Sequence, residues 1–199
     1  QRGGAGYVGA FTFNGTRFFL GAVSLLPLLY LNRGDHKSID APHGKTVMAG
    51  AITGIVLFLA ASLQQIGLSD TTAGKAGFIT GLYIVLVPIF GIFLRHRINL
   101  NMWAGALVAV TGLYLLSVTG DFTISKGDLY VLIGAIFWAV HILVIDYYTK
   151  SIDALKLSFV QFMACSILSL ATAFSFETIT TEGLRLALVP ILYGGICSV

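Results

Sequence analysis

Six apolar stretches of membrane-spanning length, separated by short polar breaks, constrain this chain more than any other feature. They run over 11–31, 46–68, 72–94, 100–118, 129–148 and 155–176. A helix crossing a hydrocarbon core of about 30 Å needs roughly 20 apolar residues, because each residue rises about 1.5 Å. A seventh apolar run, 186–199, is too short to cross and reads as a truncated span. The breaks at 32–45, 69–70, 95–99, 119–128, 149–154 and 177–185 hold charges and turn formers that resist hydrocarbon. Strands of a membrane barrel would be about ten residues long and would alternate in polarity. The runs here are twice that and apolar on every side. The expected fold class is all-α, a polytopic transmembrane helical bundle.

Composition supports the same solvent. Charged residues make up 11% of the chain and apolar ones 56%, whereas soluble domains carry about 25% charged residues. So few charges could not cover so much apolar side chain in water. The lipid bilayer is therefore an expected partner. The net charge is +3 and the basic residues are scattered, so no nucleic-acid partner is expected. Cys165 and Cys197 sit inside apolar runs and show neither a disulfide framework nor metal spacing. No metal and no cofactor is expected.

Orientation follows from the basic residues of the breaks. Arg33, Lys37, Lys45, Arg95, Arg97, Lys150 and Lys156 fall on one side; Arg2, Lys126, Arg185 and Lys75 fall on the other. Seven against four makes the first side cytoplasmic, with loops 32–45, 95–99 and 149–154 facing it. The first span then runs from outside to inside. With Gln rather than Met at position 1, this implies a helix before it. The expectation is a chain incomplete at both ends, integral to the plasma (inner) membrane and multi-pass.

Small residues four apart, Gly50/Gly54 and Gly77/Gly81, suit close helix contact. Packing within the bundle is the preferred reading, with a homodimer interface as the alternative. An internal repeat is also visible. At a constant offset, the segment at 10–28 lies on 154–172, placing Arg17-Phe18 on Gln161-Phe162 and Ala10 on Ala154. With a small gap, Gly54 comes near Gly194. Many transporters are built from such repeated halves.

Three stretches carry a resemblance to the drug/metabolite transporter superfamily, specifically its EamA-type members. They are FTFNGTRFFLGAVSLLPLL at 11–29, TTAGKAGFITGLYIVLVPIFGIFL at 71–94 with WAGALVAVTGLYLLS at 103–117, and GDLYVLIGAIFWAVHILVIDYY at 127–148 followed by LSFVQFMACSILSL. The resemblance implies ten helices in two inverted five-helix repeats, with both termini cytoplasmic. On that scheme 1–118 is most of the first repeat, lacking its first helix, and 119–199 is the truncated start of the second. The chain departs from the family where an acidic residue often follows the fourth helix, as in FLGE. Here the stretch is Phe93-Leu94-Arg95-His96, so no role of that acid carries over.

Polar residues inside spans are costly and face a cavity or a partner. His141 lies mid-span with Trp138 one turn earlier on the same face. The pair could hold substrate or carry a proton, or His141 could simply bond a neighbouring helix. Tyr83 lies mid-span in a helix interrupted by Pro88, whose missing N–H frees a backbone carbonyl. Lys75 begins its helix at the outer surface, where it could snorkel or attract an anion to a cavity mouth. Gln64 and Gln65 end their span near the same face. The expected substrate-binding residues are His141, Trp138, Tyr83, Lys75 and Gln64, with no catalytic residue. Arg17, with Asn14 one turn before it, is expected to reach the outer interface in preference to a substrate role. Asp146 is expected to cap the hydrocarbon boundary, and Trp103, Tyr147 and Tyr148 fit an aromatic belt.

The leading function is a secondary transporter, an exporter of small organic metabolites or amino-acid-like solutes, with a small-molecule substrate as partner. No P-loop occurs, so direct ATP drive is not supported. The alternatives are an intramembrane enzyme, a channel or a non-transporting membrane scaffold. The enzyme lacks any HExxH or mid-span carboxylate pair.

Overall fold

The computed structural model describes residues 8–31, 41–93, 100–117 and 125–196. The described residues form helices α1 (Ala10–Leu31), α2 (His43–Gly67), α3 (Ala73–Gly81), α4 (Tyr83–Phe93), α5 (Leu100–Ser117), α6 (Lys126–Thr149), α7 (Ala154–Phe176), α8 (Thr181–Leu186) and α9 (Leu188–Ile196). No strand occurs among them. The cytoplasmic loops expected at 32–45 and 95–99 lie mostly outside the described residues, as do Cys197 and the Arg95-His96 departure. Four stretches, His43–Gly67, Ala73–Phe93, Lys126–Thr149 and Ala154–Phe176, are long and apolar enough to cross a membrane. Helix α1 has the length, 22 residues, but carries Thr12, Asn14, Thr16 and Arg17 among its apolar residues. The protein is a multi-pass, all-helical membrane protein. Its outer apolar side chains fit that solvent, with Leu107, Val108 and Leu115 each at least 70% exposed.

The polar breaks act as caps. Thr72, Asp153 and Thr180 each accept a backbone N–H from the first turn of the helix that follows, at 3.2, 3.0 and 3.2 Å. Ser125 and Asp128 form a reciprocal capping box on α6: Asp128 N donates to Ser125 Oγ at 3.1 Å, and Ser125 N donates to Asp128 Oδ2 at 2.8 Å. Within the spans, threonine hydroxyls return a bond to their own helix, as Thr53 does to Ala49 O at 2.9 Å.

The third expected span is broken, and not at Pro88. The chain tightens at Leu82, whose N–H donates to Ile79 O at 3.2 Å, before α4 resumes at Tyr83. Pro88 lies buried inside α4. The turn is a short i→i+3 closure just after Gly81, where the helix has least side chain to hold it.

By packing, the chain forms two compact units, one of residues 1–58 with 144–199 and one of residues 59–143. In the first, α1 packs against α7 and α9. The N-terminal amides of α1 are met by a carboxylate more than 160 residues away. Glu177 accepts from Phe11 N at 2.9 Å, Thr12 N at 2.8 Å and Thr12 Oγ1 at 2.7 Å. Further in, Ser166 Oγ donates to Gly15 O at 2.8 Å. A Cβ on Gly54 would stand 2.6 Å from Ala164 Cβ and 2.8 Å from Gln161 O, so the Gly50/Gly54 face packs α2 onto α7 inside one chain. Gly77, by contrast, faces open space.

In the second unit, α5 packs against α3 and α4. Gly67 and Gly127 approach so closely that a Cβ on Gly127 would lie 2.5 Å from Gly67 O. Further along, Gly134 fits against Ala60 O and Gln64 N. These contacts run the 59–67 part of α2 antiparallel to α6.

Two substitutions separate the close and open glycine positions. Gly54→Val overpacks the α2–α7 contact and should cost about 1–3 kcal/mol. Gly77→Ala should be neutral or stabilising by up to about 1 kcal/mol, the helix-propensity gain. Thermal unfolding of both variants in detergent checks the order, and equal melting temperatures would contradict it.

Candidate functional site

All five sequence-predicted site residues belong to the second unit, and the structure joins some of them and separates others. His141 is buried, 6% exposed, and Trp138 meets it edge-on with ring centroids 5.8 Å apart. Their i, i+3 spacing on α6 sets that arrangement. Trp138 Nε1 is buried with no acceptor, although an indole N–H inside a protein ordinarily finds one. His141 has further interactions within the protein. A buried imidazole beside an unmatched donor can orient and hydrogen-bond a polar solute.

Tyr83 is half-buried at the start of α4 and makes no hydrogen bond or ring contact with either residue. Gln64 is already used: its Nε2 donates to Thr80 Oγ1 at 3.0 Å, tying α2 to α3. Gln65, its neighbour, is the buried one, 2% exposed, and its Nε2 lacks an acceptor. Ser62 Oγ, one turn earlier on the same face of α2, is also buried and unmatched. The sequence signal for Gln65 existed, since the two glutamines are adjacent, but only packing decides which of them turns inward.

Lys75 stands beside a carboxylate. Its Nζ lies 4.0 Å from Asp128 Oδ2, and Thr71 Oγ1 donates to Asp128 Oδ1 in a short hydrogen bond. Asp128 thus serves the capping box, Thr71 and Lys75 together. The ammonium that could have drawn an anion to a cavity mouth has its charge offset nearby. Among the described residues, no group of three or more His, Cys, Asp or Glu is placed to hold a metal ion.

Arg17 differs from its expected interfacial position. It is 3% exposed, with its guanidinium carbon 4.6 Å from the Phe18 ring centroid and 5.8 Å from that of Phe13. The small residues of α9 let it fold inward, because a side chain on Gly194 would come within 2.7 Å of Arg17 Cδ. Asp146 is paired with Lys150 at 2.8 Å at the end of α6.

Comparison with known proteins decides the family. A match to the EamA-like transporter family covers residues 1–118 and 125–199. The chain belongs to the EamA-like transporter family. An uncharacterized transporter of Archaeoglobus fulgidus is 35% identical over 176 residues, which span 86% of this chain and 52% of that protein. The uncharacterized transporter YoaV of Bacillus subtilis is 24% identical over 197 residues, spanning 94% of this chain and 65% of YoaV. The chain therefore covers between half and two thirds of these relatives. A solved structure, titled only as the crystal structure of a protein, superposes with a TM-score of 0.66 at 22% identity, over 94% of this chain and 66% of that one. That likeness speaks to the fold of this EamA-like chain.

The Asp128 network yields a test. Asp128→Ala removes the cap and the acceptor of Thr71, and should cost about 1–3 kcal/mol. Lys75→Met should cost less than about 1 kcal/mol, because its partner is at the limit of ion pairing and its side chain is 32% exposed. Unfolding midpoints in detergent would show it, and a larger effect at Lys75 would contradict the assignment.

Proposed function

We propose that this chain is part of a secondary transporter that exports small organic metabolites or amino-acid-like solutes across the plasma (inner) membrane. The observation that carries this reading is the Trp138–His141 pair: a buried imidazole against an indole whose Nε1 has no acceptor, in a membrane chain of a transporter family. An unmatched donor inside a membrane protein is a cost that a polar substrate can remove on binding. Histidine ordinarily titrates in the physiological range, which suits it to carrying a proton against a solute. Gln65 and Ser62 add unmatched polar atoms in the same unit, to which Tyr83, Gln64 and Lys75 also belong. Basic residues place loops 32–45, 95–99 and 149–154 in the cytoplasm in this reading.

Flux into proteoliposomes, measured with the full-length protein over a panel of labelled amino acids, tests the site. His141→Ala and Trp138→Phe should each lower the specific rate about tenfold or more, the cost of one lost hydrogen bond to a bound polar group. Membrane insertion should persist. Rates and affinities equal to the unmodified protein would make the pair structural. Orientation is checked in a variant lacking Cys165 and Cys197. Lys37→Cys should react with an impermeant thiol reagent only when the cytoplasmic face is opened, and labelling of intact cells would reverse the topology.

A further inference from the structure

We propose that Arg17, with Asn14, forms a second binding position, one that takes the carboxylate of a small organic acid. It lies wholly within the unit of residues 1–58 and 144–199 and does not depend on the Trp138–His141 reading.

The case begins with charge. A guanidinium keeps its proton, and placing one inside a membrane protein costs several kcal/mol unless a partner meets it. Arg17 is 3% exposed and is the eighth residue of α1, about 10 Å from the helix start. Among the described residues, no carboxylate lies within ion-pair distance of it, and its Nε has no acceptor. What it does have is two phenyl faces, Phe13 and Phe18. These hold the guanidinium plane and leave its charge unneutralised. One turn away, Asn14 is 1% exposed with neither its amide nitrogen nor its amide oxygen bonded. A fork of N–H donors beside an unmatched amide donor is the set that a planar carboxylate satisfies. The walls favour a monoanion. Phe13 packs with Ala187 and Ile191, so a more strongly hydrated dianion would lose more water than the site returns.

A purely structural arginine is disfavoured by the repeat. Arg17 corresponds to Gln161, and both are buried at 3% exposure. The rings of the corresponding Phe18 and Phe162 meet at 5.8 Å across the α1–α7 interface. A Cβ on Gly195 would lie 2.8 Å from Arg17 O, as one on Gly54 would lie 2.8 Å from Gln161 O. The same close packing of a glycine on a backbone carbonyl is thus built once around a neutral glutamine and once around a cation. Packing does not require the charge.

Thermal unfolding of the purified full-length protein in detergent, with phenylacetate, the neutral isostere phenylacetamide and inorganic phosphate as probes, tests the proposal. Phenylacetate should raise the melting temperature of the unmodified protein in a saturable way, and phenylacetamide should not. Arg17→Gln should fold, as position 161 indicates, and lose the response. Arg17→Lys keeps the charge without the fork and should bind phenylacetate about tenfold more weakly or worse. An equal response in Arg17→Gln, or no saturable response in the unmodified protein, overturns the site. If Arg17→Gln fails to fold, Arg17→Lys decides, and an unchanged affinity overturns it. A response to phosphate as strong as to phenylacetate points to a phosphate-bearing ligand such as a lipid headgroup and also overturns the carboxylate. Because the readout is binding and not flux, failure here leaves the Trp138–His141 reading standing, and the reverse holds equally.

Discussion

In a bilayer a polar group that the protein does not meet stays unmet, and the first unit of this protein is arranged around that constraint. Helix α1 enters with N-terminal amides that have no partner in their own helix. Glu177 meets them from the end of α7, adding a negative charge where the helix dipole favours one. The carboxylate fixes the two helix ends together, and the rest of their interface follows in register. Ser166 bonds the carbonyl of Gly15, and Leu170 fills the space that a side chain on Gly15 would need. Phe18 then meets Phe162.

The same accounting shows which groups are left over. Most hydroxyls of the spans bond a carbonyl of their own helix, and most breaks between spans cap the next one. Among the described residues the buried exceptions are few: Asn14, Arg17 and Ser169 in one unit, and Ser62, Gln65 and Trp138 in the other. A protein in lipid carries such atoms at a cost, because unmatched polar groups there weigh more than in water. Under the proposed function, a bound solute would supply the missing partner. The two sets differ in character. One is built on a cation with phenyl walls, the other on neutral donors beside a histidine.

Glycine explains how such different side chains fit into close-packed helices. Gly54, Gly67, Gly127 and Gly195 each face a neighbouring backbone at a distance that excludes a side chain. Helices without a hydrophobic drive toward one another gain most by this kind of approach. It also gives large residues room, as Gly194 does for Arg17.

The helical class and the solvent were legible in the sequence because they depend on local apolar content, which the bilayer sorts directly; of the six spans expected, four are long and apolar enough among the described residues. The helix ends were less so: Asp153 caps α7 within the break expected there, but Thr180 caps a short helix, Thr181–Leu186, inside the stretch expected as a polar break. The glycine pair at 50 and 54 and the pairing of Trp138 with His141 were also readable, because helical spacing alone puts each pair on one face. Tertiary structure decided the rest. The tight turn of the third span falls at Leu82, just after Gly81, where sequence pointed to Pro88. Lys75 faces Asp128, 53 positions on, and Gln65 rather than Gln64 turns inward. Arg17 was the largest misreading. An arginine two turns into a span ordinarily reaches for water, and nothing local says otherwise. Only the small residues of α9, about 180 positions later in the chain, make an inward position open to it. Local sequence sets what each helix is, whereas which polar atom is met and which is left waiting depends on residues that are neighbours only after the helices have packed.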